Sequence, residues 1–253
     1  MKALVHAEVL KLRSTRTPVG LLLATLALVA LSVVVELSEA GTTNVPVSLD
    51  DPGLLAGTVG VSLGVSGVLV VLLGVLAFTQ EFRYGTVTST YLVEPRRSRV
   101  LVAKWLASAL ASVAVAATTL ALSVTLVVAL VRSRDGDVTA AAQFWQMVAA
   151  GFVVMAAYGV IGVAVGALVR NQITAVVGVL VWMLAVEQIV ISAFPTVGRW
   201  MPGGATSALL QLGPAISLDA KLLSASVGGL VLLGYTAAAV ALALLLAPRR
   251  DVL

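Results

Sequence analysis

LLAGTVGVSLGVSGVLVVLLGVLAFT, residues 54–79, is an apolar stretch without one charged side chain. A helix needs about 20 apolar residues to cross the hydrocarbon core of a bilayer, so this stretch is long enough to span a membrane with a tilt. Five other stretches meet the same requirement. The six predicted spans are 18–35, 54–79, 106–131, 144–169, 173–194 and 226–247.

The composition agrees with a membrane protein. Hydrophobic residues make up 60% of the chain and charged residues 11%, whereas a soluble domain has about 25% charged residues. So little charge cannot cover a water-facing surface, and the bilayer must be the main solvent. We therefore predict an all-α polytopic membrane protein with six transmembrane helices, folded as a single transmembrane domain over residues 1–253. Glycines and prolines between Pro195 and Pro214 predict short broken helices between spans 5 and 6.

The distribution of lysine and arginine predicts that both termini lie in the cytoplasm, because cytoplasmic loops of membrane proteins are enriched in these residues. With this orientation, the basic residues left in outer loops are Arg132, Arg134, Arg199 and Lys221. The same bias explains the net charge of +4. No basic patch with interleaved aromatic residues is present, so we expect the lipid bilayer and no nucleic acid as a partner.

Residues for most enzyme mechanisms are missing from the sequence. The chain has no cysteine, and His6 is its one histidine, which excludes a thiolate site, a His-based triad and a multi-His metal site. No phosphate loop of the form G-x-x-x-x-G-K-[ST] occurs. We expect a chain that is not catalytic alone and that binds no metal or cofactor itself.

Glycines in spans 2 and 4 have the spacing of close helix contacts. Gly57, Gly60 and Gly64 follow one another on span 2, and Gly162 and Gly166 form a second G-x-x-x-G on span 4. Such spacing lets helix backbones approach and pack by dispersion. Packing within one chain is the simpler interpretation, and a dimer seam or a moving interface is the alternative.

Glu187 is the acidic residue inside a predicted span. A carboxylate in hydrocarbon is costly unless it is paired or hydrated, so an ionisable residue there is a candidate for function. Together with Gln188, it is a candidate for a substrate path or gate. The alternative is a structural role, with Gln188, Arg199 or a backbone group of the outer loop as the partner of Glu187.

Residues 80–99, QEFRYGTVTSTYLVEPRRSR, form the loop between spans 2 and 3 and concentrate charged and aromatic side chains. The arginines need no explanation beyond anchoring at the cytoplasmic surface. Anchoring does not account for Glu81, Phe82, Tyr84 and Tyr91. These residues suit a short helix that docks into a groove of a partner, where aromatic anchors dominate binding.

This loop resembles that of the type-2 permeases of ATP-binding-cassette (ABC) transporters. The similar residues are the E-x-R-x-G-T pattern of Glu81–Thr86, the dipeptide Glu94–Pro95, and Arg97, Arg99 and Lys104. Three other segments are similar to parts of the same family, including its actinobacterial members. They are residues 8–17, 182–187 and 199–204.

The resemblance implies a permease subunit of an exporter in the bacterial cytoplasmic membrane. Two permeases, identical or different, would assemble with two copies of a separate cytoplasmic ATPase, which binds ATP and Mg. The N-terminal segment would be an interfacial helix, and the loop between spans 2 and 3 would contain the coupling helix. The residues that the resemblance places at the ATPase contact are Glu81, Phe82, Arg83, Tyr84, Gly85, Thr86 and Tyr91. The expected cargo is a hydrophobic or amphiphilic molecule such as a drug or lipid.

Other functions stay open at this point. A secondary transporter or channel that uses Glu187 as an intramembrane polar site is the main alternative, although such proteins place more polar residues near the midplane. A membrane-embedded enzyme ranks lower, because no cluster of acidic residues lies in the spans. A scaffold subunit is a further alternative.

Overall fold

The computed structural model describes residues 1–39, 51, 53–140, 142–212 and 222–246. These residues form helices and short connections, with no strand among them. The helices are α1 Lys2–Ser14, α2 Arg16–Glu39, α3 Leu54–Arg83, α4 Val87–Val93, α5 Arg97–Arg132, α6 Ala142–Val169, α7 Gln172–Val181, α8 Glu187–Ala193, α9 Pro195–Gly198, α10 Pro202–Leu209 and α11 Ala225–Leu246. A π-helical turn, Trp182–Val186, joins α7 to α8.

Six helices are long and apolar enough to cross a membrane: α2, α3, α5, α6, the continuous segment from α7 to α8, and α11. The six spans predicted from the sequence are confirmed at this level, and most of their ends shift by a few residues. The chain therefore has the helices of a multi-pass membrane protein.

The largest shift is at the start of α5, which begins at Arg97 rather than at residue 106. Arg99 and Lys104 precede the apolar run, and their charges exclude this segment from a span predicted by hydropathy. Lys104 is nevertheless buried, because carboxylates of α1 and α3 pair with it. With 36 residues, α5 is about 54 Å long at a rise of about 1.5 Å per residue. It therefore extends well beyond a hydrocarbon core of about 30 Å.

The centre of the bundle is formed by α3, α5 and α6, which pack on one another more extensively than any other helices do. Glycine makes the crossing of α3 and α6 possible. A Cβ atom on Gly74 would collide with the carbonyl oxygen of Gly159, and one on Gly162 would collide with that of Val71. A Cβ on Gly166 would lie 2.9 Å from the carbonyl oxygen of Val75. Both glycines of the span 4 pattern thus contact α3 within one chain.

The glycines of the span 2 pattern have different surroundings. A Cβ on Gly60 would meet the side chains of Leu212 and Met147. A Cβ on Gly57 or on Gly64 would have no atom within 4 Å. Gly60 therefore packs inside the chain. The dimer seam stays a prediction for Gly57 and Gly64, which lie on the partly exposed face of α3.

The helices at the periphery are much less buried than those at the centre. In an apolar stretch of 18 residues within α3, 61% of the residues are buried, compared with 11% in the corresponding stretch of the α7–α8 segment and 11% in that of α11. The exposed side chains of these peripheral helices are mainly large and apolar. Such surfaces are suited to lipid or to another membrane subunit, not to water.

The two ends of the bundle differ. One end, here named the α4 end, carries α1, α4, the start of α5 and the turn between α6 and α7. In that turn Arg170 has a φ of 59°, and the Asn171 side chain accepts a hydrogen bond from the Thr174 amide at 3.0 Å, which caps α7. The opposite end carries α9 and α10, two short helices that begin at Pro195 and Pro202. They lie in the segment between spans 5 and 6 for which broken helices were predicted, and Gly213 and Pro214 of that segment lie outside the described residues.

Candidate functional sites: an ionic cluster and a membrane cleft

Four charged side chains from three helices meet at the α4 end and form what we name the ionic cluster: Glu8 and Lys11 of α1, Glu81 of α3 and Lys104 of α5. The Nζ atom of Lys104 lies 2.7 Å from Glu8 Oε2 and 2.7 Å from Glu81 Oε1. The Nζ atom of Lys11 lies 2.7 Å from Glu8 Oε1 and 2.7 Å from Glu81 Oε1. Two ammonium groups thus neutralise two carboxylates.

Burial makes the ionic cluster different from a surface salt bridge. The side chain of Lys104 is 2% exposed, and those of Glu8 and Glu81 are 10% exposed. Charges removed from water are tolerated when each has close partners and further hydrogen bonds. Lys104 gains one more, to the carbonyl oxygen of Ala77 at 3.4 Å. The ionic cluster therefore joins α1 to the ends of α3 and α5.

Lys11 lies on the solvent side of the ionic cluster and connects it to α4. Its Nζ atom is 3.4 Å from Thr90 Oγ1. Partial burial acts to lower the pKa of Lys11, but the hydrogen bonds to Glu8 and Glu81, together with the negative charges of these residues, outweigh that effect and raise the pKa above its ordinary value. The charged form of Lys11 is thus the form that the fold stabilises.

The sequence drew attention to Glu8, Lys11, Glu81 and Lys104 only as parts of separate motifs. Their contact was not predicted, because the three segments that carry them are far apart along the chain. A usable signal was present, however. Lys104 lies in the helix that continues into span 3, and Glu81 lies near the end of the helix that forms span 2. Each of these charges therefore needed a partner of opposite charge.

The predicted ATPase-coupling residues divide into a buried and an exposed group. Glu81 belongs to the ionic cluster. Phe82 is half-buried: its ring stacks on Phe78 with centroids 5.3 Å apart, and the Arg170 guanidinium lies 5.4 Å from its centroid. Phe82 thus connects the end of α3 to the turn between α6 and α7.

The exposed group follows directly along the chain and consists of Arg83, Tyr84, Gly85 and Thr86. Gly85 has a φ of 69° and turns the chain from α3 into α4. Arg83 also reaches the turn between α6 and α7, since its Nη1 donates to Gln172 Oε1 at 3.4 Å.

Helix α4 presents apolar side chains to its surroundings. Leu92 is 79% exposed and Val93 is 84% exposed. Tyr91 lies on the other side of α4, half-buried, with the Arg97 guanidinium 5.3 Å from its ring centroid. Burial raises the pKa of the Tyr91 phenol above its ordinary value. We name three exposed side chains the tip of α4: Tyr84, which lies just before α4, and Leu92 and Val93 at its C-terminal end.

A second site lies within the bundle, on the side of α7 and α11. It is a cleft of about 430 Å³ whose walls come from α3, α6, α7, the π-helical turn, α11 and the first residues of α8 and α10. The walls are almost entirely apolar, with residues such as Val71, Ile161 and Val165, and Trp182 and Tyr235 contribute aromatic rings. We name it the membrane cleft, because it lies on the least buried helices.

Glu187 lines the membrane cleft and is 2% exposed. Its Oε1 atom accepts a hydrogen bond from the Gly203 amide at 2.6 Å. Gly203 lies in the first turn of α10, so the carboxylate occupies the N-terminus of that helix. Of the partners weighed from the sequence, a backbone group is the one observed. Within the described ranges no lysine or arginine forms an ion pair with Glu187.

Gln188, the other residue predicted for a path or gate, lies elsewhere. Its side chain is exposed, and its Nε2 donates to the Met183 carbonyl oxygen at 3.3 Å. It is not among the residues that line the membrane cleft.

The π-helical turn explains why Glu187 and not its neighbour enters the membrane cleft. An α-helix advances about 100° per residue, so in a regular helix Val186, 11 positions after Ala175, would lie on the same face as Ala175. The turn inserts one residue, since the Glu187 amide bonds to the Trp182 carbonyl five residues earlier. Glu187 therefore takes the face that Ala175 and Val179 occupy. Such insertions are frequent at functional sites.

Tyr158 gives the membrane cleft a second polar group. Its hydroxyl lies 2.9 Å from Thr206 Oγ1, and both residues are buried. This hydrogen bond joins α6 to α10. Sequence reasoning missed both residues, because a tyrosine and a threonine in apolar surroundings are common and carry no distinctive spacing.

No protein-family model matches this chain, and no curated protein matches it either. What the structure establishes is an all-α chain, over the described residues, with six helices that are long and apolar enough to cross a membrane.

Proposed function

We propose that this chain is the membrane permease subunit of an ATP-driven exporter of the ABC type, in a bacterial cytoplasmic membrane. Both termini and the α4 end face the cytoplasm. A separate ATPase, present in two copies, binds ATP and Mg and docks on the α4 end, and a second permease completes the complex. The chain itself is not catalytic, and its cargo is hydrophobic or amphiphilic.

The tip of α4 is the observation that carries this proposal. Leu92 and Val93 are among the most exposed apolar side chains of the chain, and they lie at the end that carries the charged loop. Large apolar side chains left uncovered in water favour a contact with another protein. A short helix with two aliphatic anchors, preceded by an exposed tyrosine, fits a groove on a partner subunit.

The ionic cluster supports a mechanical role for the same end. Lys11 contacts Thr90 of α4, and the ionic cluster links α1 to α3 and α5. A displacement of α4 by a partner would therefore be passed to the ends of two central spans. Buried charges with fixed partners resist independent movement, because separating them leaves unpaired charges in an apolar environment.

Purification of the tagged chain from membranes of its host cell tests the proposal. We expect an ATPase with a phosphate loop to co-purify and to hydrolyse ATP in the complex. Leu92→Asp should remove most of this ATPase, because it places a charge in an apolar contact. Leu92→Met should retain it, and Ser98→Asp, which adds the same charge at the exposed start of α5, should have little effect.

The alternative, secondary transport, predicts a different result. No ATPase would co-purify, and Leu92→Asp would leave transport unchanged. Reconstituted vesicles would then move cargo under an ion gradient without nucleotide. These three results together would refute the proposed function.

A further inference from the structure

We infer that the membrane cleft binds an amphiphile with one positive charge, a lipophilic amine or quaternary cation, whose charge pairs with the carboxylate of Glu187. The inference rests on the proposed transport function and names the class of cargo. It depends on the geometry of one site, so it is testable without any ATPase.

Glu187 supplies the negative charge for such a ligand. It is 2% exposed and receives one hydrogen bond, from the Gly203 amide. A buried carboxylate is costly unless an opposite charge and further hydrogen bonds compensate it. Within the described residues that opposite charge is not provided, so a cationic ligand would complete the site.

Capping of α10 does not by itself explain the negative charge. The Gly203 amide needs an acceptor, and the side-chain oxygen of a glutamine would also serve. The dipole of α10 favours a negative charge there, but by much less than the burial of a carboxylate costs. The carboxylate adds a full negative charge that the hydrogen bond does not require. Its position on the wall of an apolar cleft makes this charge available to a ligand.

The rest of the membrane cleft suits the body of an amphiphile. Its volume of about 430 Å³ falls within the usual range of about 300–1,000 Å³ for sites that bind small molecules. Trp182 and Tyr235 line it together with Glu187, and aromatic rings attract cations as well as apolar groups. Because α7 and α11 are mostly exposed, such a ligand would enter from the bilayer.

Binding of radiolabelled tetraphenylphosphonium to the purified chain tests the inference. The chain is placed in nanodiscs of phosphatidylcholine, and binding to empty nanodiscs is subtracted. We expect saturable binding that tetraphenylborate, an anion of nearly the same size and shape, does not displace. Glu187→Gln should weaken binding roughly tenfold or more, the effect of losing about 1.4 kcal/mol of charge pairing. This variant keeps the hydrogen bond from Gly203.

A second variant tests the location without touching the charge. A Cβ on Gly178, which lines the membrane cleft, would have nothing within 4 Å, so Gly178→Leu should fold and fill the space. We expect it to abolish binding. Matched controls are Gly234→Leu, at an equally open glycine that does not line the cleft, and Asp135→Asn, which removes an exposed carboxylate. Both should bind as the unmodified chain does.

The inference is overturned if tetraphenylphosphonium does not bind, if tetraphenylborate displaces it equally well, or if Gly178→Leu binds normally. It is also overturned if a monodisperse Glu187→Gln variant keeps full affinity. Should that variant not fold, the anion competition and Gly178→Leu still decide. None of these results depends on whether an ATPase co-purifies, so failure of the proposed function would be seen separately.

Discussion

Lys104 shows how a single residue can determine the relation of three helices. Its side chain is 2% exposed, and its ammonium lies 2.7 Å from a carboxylate of α1 and 2.7 Å from a carboxylate of α3. Removing one member of such a buried group leaves the others without full compensation, which costs more than the loss of a surface salt bridge. We therefore expect the stability of the α4 end to depend strongly on Lys104.

Lys104→Met is expected to destabilise the protein by about 3–5 kcal/mol, the usual cost of breaking a buried ion pair. Thermal unfolding in detergent, followed by tryptophan fluorescence, measures the change. Lys2→Met, at an exposed lysine of the same end, should change stability by less than about 0.5 kcal/mol. The double variant Glu8→Gln/Lys104→Met should lose less than the sum of the single changes, because the two residues contact each other. Equal losses in Lys104→Met and Lys2→Met would contradict the ionic cluster.

At the scale of helices, the fold depends on where backbones approach. The crossing of α3 and α6 places Gly74 next to Gly162, with no room for a side chain on either. Elsewhere, as at Gly178, glycine faces open space. The spacing of glycines in the sequence does not separate these two situations, because both occur within spans. The difference lies in which neighbour each glycine faces.

Gly162→Ala is expected to destabilise the chain by at least about 1–3 kcal/mol, since the new Cβ would collide with backbone and the helices would have to separate. Gly178→Ala provides the matched control and should be neutral or stabilising by up to about 1 kcal/mol, because alanine favours a helix. Thermal unfolding of both variants in the same detergent gives the comparison. If the two substitutions shifted the midpoint alike, the close crossing would be refuted.

Helix positions were predictable and side-chain partners were not, for a physical reason. Hydropathy is a local property, so it located all six spans and missed mainly the charged start of α5. The pairing of Glu8 with Lys104 and of Glu187 with Gly203 depends on tertiary structure. Charge in an apolar segment showed that Glu187 needed a partner, but not which one. No residue pattern in the sequence predicted the π-helical turn at Trp182–Val186.

For the whole molecule, the ionic cluster and the carboxylate of Glu187 lie at different levels of one bundle. The ionic cluster and the tip of α4 occupy one end, whereas Glu187 lies towards the end that carries α10. The membrane cleft extends along the bundle, from Val169 and Thr174 beside the turn between α6 and α7 to Glu187 and Pro202. The central helices α3 and α6 run between them and both contribute to the wall of the cleft. In the proposed permease, this arrangement separates the place where energy enters from the carboxylate that would hold the charge of the cargo.

The central claim is that the α4 end contacts a phosphate-loop ATPase, and site-specific cross-linking in native membranes tests it most directly. The chain has no cysteine, so Leu92→Cys and Asp135→Cys each introduce one exposed thiol, at opposite ends of the bundle. Each variant is modified with a photoactivatable maleimide, and the adducts are identified by mass spectrometry. The proposed function predicts an ATPase adduct from Leu92→Cys and none from Asp135→Cys. An adduct from Asp135→Cys instead, or labelling of Leu92→Cys by a membrane-impermeant maleimide in intact cells, would contradict it.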